Sequence, residues 1–255
     1  MNSYPDIHNV FGERLSTMVE GNEQAKATII FVHGFATDMH ETARYFDDLA
    51  VWLGEEFRIL RFDFSGCGKS DGNLSDKDYE KWTNDLKHVI AYAKEKYQGE
   101  LYILAQSMGC FITAMLNPQG ISKTVFTGLP NSNTNYLIDR LVERFGSKEG
   151  AKIDMENISL FPRSTGDVQK VGPTFWKVLR LFKPALAVAD FSRNTRLMIV
   201  HPNQDEIVGQ VYLAQYASIP GVIVKKLNGD HAFRNQEDRR SLYKKIKEFF
   251  TSSGQ

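Results

Sequence analysis

Cysteine is nearly absent from this chain: Cys67 and Cys110 are the whole complement of its 255 residues. Both sit beside glycines in turn-like sequence and read as free thiols, which points to a reducing compartment. Net charge is also missing. Lys plus Arg and Asp plus Glu both number 31, so nothing in the balance suggests a polyanionic partner, and nucleic acid is not expected. No stretch approaches the roughly 20 apolar residues that a membrane span needs. The first residues, Met1 to Asp6, carry neither a basic segment nor an apolar run, so no secretory signal is expected and a cytoplasmic location is. Internal repeats and low-complexity segments are lacking too. With 42% hydrophobic and 24% charged residues, the chain reads as one globular unit with a substantial core and an insertion.

Against these absences stands a rhythm of short apolar runs alternating with helix-like segments. Ala27–Val32, Phe57–Phe62, Leu101–Leu104, Lys123–Gly128, Leu197–Val200 and Val222–Leu227 are rich in β-branched and aliphatic residues, as strands covered on both faces are. Helical sequence lies between them, from about Glu41 to Leu53, Asp76 to Tyr97, and Glu237 to Phe250. The alternation predicts an α/β fold with a mostly parallel sheet, wound by helices on both faces, whose site lies at the carboxyl ends of the strands. Residues 8–24 read as one or two antiparallel edge strands. Between 130 and 190 the rhythm breaks into helical patches around a polar loop from Arg163 to Asp167. That segment is expected to be an insertion over the carboxyl edge of the sheet, with 1–129 and 191–255 forming the core.

Ala105-Gln106-Ser107-Met108-Gly109 links a strand to a helix through a sharp turn with a serine at its apex. Such a turn tolerates only small residues two positions to either side and pushes the serine hydroxyl out above the sheet edge. The string alone is common by chance, and Ser107 could be a plain helix N-cap. Two later residues favour a nucleophile: Asp205 follows the run Leu197–Val200, and His231 follows Val222–Leu227. A serine hydroxyl needs a base, and the base needs a third group to hold its tautomer. His231 is expected as base and Asp205 as its orienter. His201 is the rival base, but it lies only four residues before Asp205. Glu206 is the rival acid, and Asp230 reads as a turn former. The expected oxyanion donors are the backbone N–H groups of Met108 and of Phe35, in the turn His33-Gly34-Phe35.

Other motifs fail on inspection. Gly66-Cys67-Gly68-Lys69-Ser70 imitates a phosphate-binding loop, but that loop requires glycine at position 63, which is Asp63. A dinucleotide fingerprint fails at Asp71, and a zinc-binding pattern begun at His40-Glu41 fails at Arg44. Neither a metal nor a cofactor is expected.

On His33-Gly34-Phe35, Asp63 through Ser70, Ala105 through Gly109, Asp205 and Gly229-Asp230-His231, the chain resembles the α/β-hydrolase superfamily. More loosely it resembles small capped esterases of the cinnamoyl or feruloyl esterase and monoacylglycerol lipase kind. The resemblance covers about 27–129 and 195–251. It implies ester or thioester hydrolysis through an acyl-enzyme, with a cap over the pocket and a small-molecule ester as the partner. It departs from the pattern at Ala105, where glycine is commoner, and at Gln106, where these esterases often carry histidine. Alternative uses of the same triad are thioester hydrolysis, acyl transfer, lactone opening and carbon–carbon cleavage; a non-catalytic ligand sensor is a more distant one. In the insertion, Phe145, Trp176 and Leu179 lie on apolar helical stripes and are the expected substrate contacts, favouring an apolar or aromatic acyl group. A monomer or homodimer is expected.

Overall fold

The computed structural model describes residues 2–163 and 166–252. Ser164 and Thr165, in the polar loop noted above, lie outside the described residues. The apolar runs form a seven-stranded sheet. Its strands are β3 (Thr17–Gly21), β4 (Ala27–Val32), β5 (Arg58–Phe62), β6 (Glu100–Gln106), β7 (Lys123–Thr127), β10 (Arg196–Pro202) and β11 (Ile223–Leu227). They run in the order β11-β10-β7-β6-β4-β5-β3. All neighbours are parallel except β3, which pairs antiparallel with β5 at the edge. The first residues add a small antiparallel pair, β1 (Ile7–His8) and β2 (Arg14–Leu15). The edge strands expected within residues 8–24 are thus divided between two sheets.

Two apolar layers fix the helices to the sheet. On one face α1 (Tyr45–Leu53) and α7 (Gln236–Thr251) bury Phe46, Leu49, Leu242 and Ile246 against Ile29, Ile59 and Leu104. On the other, α2 (Tyr79–Lys96), α3 (Met108–Leu116) and α6 (Pro184–Phe191) bury Trp82, Phe111 and Val188 against Ile30, Ile103 and Ile199. Asp78 caps α2 by accepting from the Lys81 N–H at 2.9 Å. The helix expected from about Glu41 starts at Tyr45, because Glu41, Ala43 and Arg44 have positive φ and form a tight turn first.

Between β7 and α6 lie α4 (Thr134–Gly146), the hairpin β8 (Ser159–Pro162) with β9 (Val168–Val171), and α5 (Pro173–Leu181). Phe145 stacks on Phe161 at 4.5 Å, and Trp176 meets the same ring edge-on at 5.8 Å. Phe175 of α5 stacks on Tyr79 of α2 at 5.4 Å, tying the segment to the body of the protein. The Gln169 side chain donates to the Ala36 carbonyl at 2.6 Å, a second tie. α6 packs on α3, with its Phe191 stacked 5.8 Å from Phe126 of β7. It sits with the sheet helices although it falls inside 130–190.

The chain moves from β4 outward to β5 and returns to β6 beside β4, before running the other way through β7, β10 and β11. The direction of winding therefore reverses at β4 and β6. The crevice at such a point, beyond the carboxyl ends, is where open α/β sheets bind ligands. Both turns there are crowded. A Cβ built on Gly109 would come within 2.5 Å of the Val32 carbonyl oxygen and 2.7 Å of the His33 oxygen. Gly109→Ala is expected to destabilise the fold by about 1–3 kcal/mol through this overpacking. A urea titration reads the change as a lower midpoint at unaltered slope; an unaltered midpoint would contradict it.

Candidate active site

Ser107 separates β6 from α3 with φ 52° and ψ −121°, a conformation that L residues rarely adopt. Backbone in such a region costs on the order of 1–3 kcal/mol and persists only where its surroundings enforce it. They do so here: the Ser107 N–H donates to the Thr127 carbonyl at 2.9 Å, and the Cys110 N–H donates to the Ser107 carbonyl at 3.0 Å. The Ser107 side chain makes no capping hydrogen bond, so the N-cap alternative does not account for it. Its hydroxyl belongs to a cavity of about 210 Å³ that Ser107 and His231 line together.

His231 lies beyond the end of β11 with its side chain only 12% exposed. Its Nδ1 is 2.7 Å from Asp205 Oδ2. The other Asp205 oxygen accepts from the Ile207 and Val208 N–H groups, each at 2.9 Å. Burial by itself would raise the Asp205 pKa, but the imidazole and these backbone donors hold it below the ordinary carboxylate value. An ionised Asp205 places the imidazole proton on Nδ1 and leaves Nε2 as an acceptor. For His231, burial alone would lower the pKa; the Asp205 carboxylate, joined by Glu41 and Glu206, raises it above the usual histidine value.

The rival residues are placed otherwise. His201 is buried at the end of β10, away from the cavity lining, and its Nε2 has no hydrogen-bond partner among the described residues. Burial first, and Lys226 in addition, push its pKa down to about 4 against the opposing pull of Asp205, so it is neutral. Glu206 accepts from the His231 N–H at 3.1 Å and pairs with Arg234. Asp230 accepts from the Ala232 and Arg234 N–H groups and closes the turn, the role its sequence position suggested.

Phe35 and Met108 both line the cavity. Met108 is the first residue of α3, so its N–H has no intrahelical partner. The Phe35 N–H has no partner among the described residues. Glu41 and Gln106, neither of them expected from the sequence to act in this way, fix the backbone around the site. Glu41 accepts from the Gly34 N–H and, with its second oxygen, from the Thr42 N–H at 2.9 Å, fixing the loop that carries Phe35. Gln106 Nε2 donates to the His231 carbonyl at 2.9 Å, while its Oε1 accepts from the Tyr45 hydroxyl at 3.0 Å and from the Thr127 hydroxyl. His33 works one step back: its Nε2 accepts from the Phe64 N–H at 2.9 Å, so Nδ1 carries the proton and donates to the Gly34 carbonyl at 2.8 Å.

Of the expected substrate contacts, Phe145 lines the cavity. Trp176 and Leu179 do not: both are buried, and the Trp176 indole donates to Ser159 Oγ at 3.1 Å. Trp176 ties α5 to the hairpin and Leu179 is buried in the core, which is the ordinary use of an apolar helical stripe. Among the described residues, no group of three His, Cys, Asp or Glu side chains is arranged to hold a metal ion. Nor is any described helix long and apolar enough to cross a membrane. An imidazole titration by NMR should find the His231 pKa above about 6.5 and lower it by about a unit or more in Asp205→Asn. Equal values in the two proteins would contradict the electrostatic coupling.

Known proteins share this arrangement of elements. The family described as serine aminopeptidase, S33 matches residues 23–142. The mitochondrial palmitoyl-protein thioesterase ABHD10 of Bos taurus is 24% identical over 251 residues, covering 94% of this chain and 76% of that protein. An esterase of Pyrococcus furiosus superimposes with a TM-score of 0.76 at 16% identity, over 98% of this chain and 90% of its own. Est1E from Butyrivibrio proteoclasticus, solved with ferulic acid bound, gives 0.74 at 21% identity over 98% of this chain and 100% of its own. The chain has the α/β-hydrolase fold and resembles the hydrolases built on it, esterases among them.

Proposed function

We propose that Ser107, His231 and Asp205 form the catalytic triad of a serine hydrolase that cleaves carboxylic esters through an acyl-enzyme. The observation that carries this reading is the 2.7 Å contact between His231 and Asp205 at the cavity that also holds the strained Ser107 turn. Ser107 attacks the acyl carbon as His231 Nε2 takes its proton, and Asp205 stabilises the imidazolium that results. The negative charge that develops on the carbonyl oxygen is met by the Phe35 and Met108 N–H groups. Each such donor contributes about a hundred- to a thousandfold in turnover. The imidazolium then protonates the leaving alcohol, and water activated by the same base releases the acid. No cofactor takes part in these steps.

The elements between β7 and α6 act as a cap. Leu137, Leu141 and Phe145 of α4, and Phe175 of α5, present an apolar roof, which suits an apolar or aromatic acyl group. The volume bears on its length: about 210 Å³ falls under the roughly 300 Å³ at which sites for drug-sized ligands begin. A short acyl group fits that space better than a fatty chain. Thioester hydrolysis is the second reading, favoured by the relative named as a palmitoyl-protein thioesterase. The triad serves both bonds, and the cavity volume argues for a shorter acyl group than that relative's name carries.

A series of p-nitrophenyl esters of increasing acyl length tests the reading. The wild type should turn over short-chain esters, with kcat/KM falling toward palmitate, and Ser107→Ala should lose at least about a thousandfold in kcat. Retained activity in Ser107→Ala would contradict the assignment. A preference for palmitate would contradict the acyl-length argument alone.

A further inference from the structure

The cavity that holds Ser107 and His231 has a basic wall with no place in the hydrolytic scheme. Arg144 on α4, Lys148 just beyond it and Arg163 after β8 all line it, and Arg234 joins them from the turn after His231. The chain as a whole has no net charge, so this concentration does not reflect a generally basic protein. Arg234 is neutralised by Asp230 at 2.7 Å and Glu206 at 3.3 Å. The other three have no ion pair among the described residues. Lys148 Nζ donates to the Pro162 carbonyl at 3.0 Å and lies 5.1 Å from the centre of the Phe145 ring, while Arg163 donates to Gln169 Oε1 at 3.4 Å.

The acidic groups nearby are already engaged. Glu41, the one carboxylate on the lining among the described residues, accepts from the Gly34 and Thr42 N–H groups and the Thr37 hydroxyl. Glu206 accepts from the His231 N–H and from Arg234. Burial lowers the pKa of both Arg144 and Lys148, and neighbouring cations lower them further: Arg234, Arg163 and Arg140 act on Arg144 against the pull of Glu206, and Arg144 and Arg163 act on Lys148. Cations that are half-buried, mutually repelling and in no ion pair among the described residues are stabilised by an anion that enters between them.

We propose that this wall binds an anionic group on the substrate, so that the natural ester or thioester carries a carboxylate or phosphate away from the scissile bond. The apolar roof then holds the connecting carbons and the basic wall fixes the far end, which sets the register of the acyl carbon over Ser107. A guanidinium recognises a carboxylate or phosphate through parallel N–H donors, and Lys148 adds a point charge. The inference rests on the hydrolase reading only in making the anion part of a substrate. The binding itself is separable from turnover.

Calorimetric titration of the Ser107→Ala protein with monomethyl adipate, methyl hexanoate and a methyl ester bearing a terminal phosphate separates the cases. The carboxylate or the phosphate ester, or both, should bind at least about tenfold more tightly than the neutral ester, the size of one charge-assisted contact. This preference should shrink as salt rises, disappear in Arg144→Gln/Lys148→Gln, and survive in Arg144→Lys. Whichever of the two anions binds more tightly identifies the group. Equal affinity for charged and neutral esters, no binding of any of them, or a preference unaltered in the double variant would overturn the proposal. A charged-ester preference without turnover of that ester by the wild type would leave the anion site standing and count against the hydrolase reading.

Discussion

The backbone turn at Ser107 is the constraint on which the rest of the site depends. A serine at φ 52° between a buried strand and a buried helix is unfavourable in isolation, so the neighbouring structure must hold it. It is held by the β7 carbonyl of Thr127 and by the close approach of β4 to Gly109, which leaves no room for a side chain there. The same crowding brings Gly34 against Ser107, since a Cβ on Gly34 would lie 3.1 Å from the serine Cβ. The turn that exposes the hydroxyl is therefore also the turn that brings the Phe35 loop beside it. One packing requirement supplies two parts of the arrangement.

Around that turn, ionised and polar groups are fixed by the backbone before any ligand arrives. Asp205 gives one oxygen to two N–H groups and the other to His231, so the carboxylate cannot rotate away without leaving buried donors unpaired. Gln106 holds the His231 backbone, and Glu41 holds that of Gly34. Both are buried; Gln106 reaches from the end of β6 and Glu41 from the turn before α1. Preorganisation of this kind lets a site meet developing charge without reorganising at the moment of reaction.

The central strands were legible because parallel strands buried on both faces are continuous apolar runs, as in Ala27–Val32 and Leu101–Leu104. Ser107, Asp205 and His231 stood out as candidates because each follows such a run. Other features left weaker traces. The β8–β9 hairpin consists of four-residue strands without a clear apolar alternation, so the segment read only as helices and loop. α6 resembles its neighbours in sequence, and its packing on α3 is a tertiary fact. Trp176 and Leu179 share a helical stripe with Phe175, and periodicity cannot tell a face that roofs a cavity from one that packs on a hairpin. Glu41 and Gln106 carry no local signal, because their partners are backbone groups brought near by the fold. The basic wall was equally hidden: Arg144, Lys148 and Arg163 are spread over 20 positions and meet only at the cavity.

Reaction of the intact protein with a fluorophosphonate, followed by mass-spectrometric mapping of the adduct, tests the central claim most directly. The reagent phosphonylates a serine only where a base withdraws its proton and the oxyanion is met by donors. The account predicts a single adduct on Ser107, and little or none in His231→Ala. An adduct on another residue, or undiminished labelling of Ser107 without His231, would contradict it.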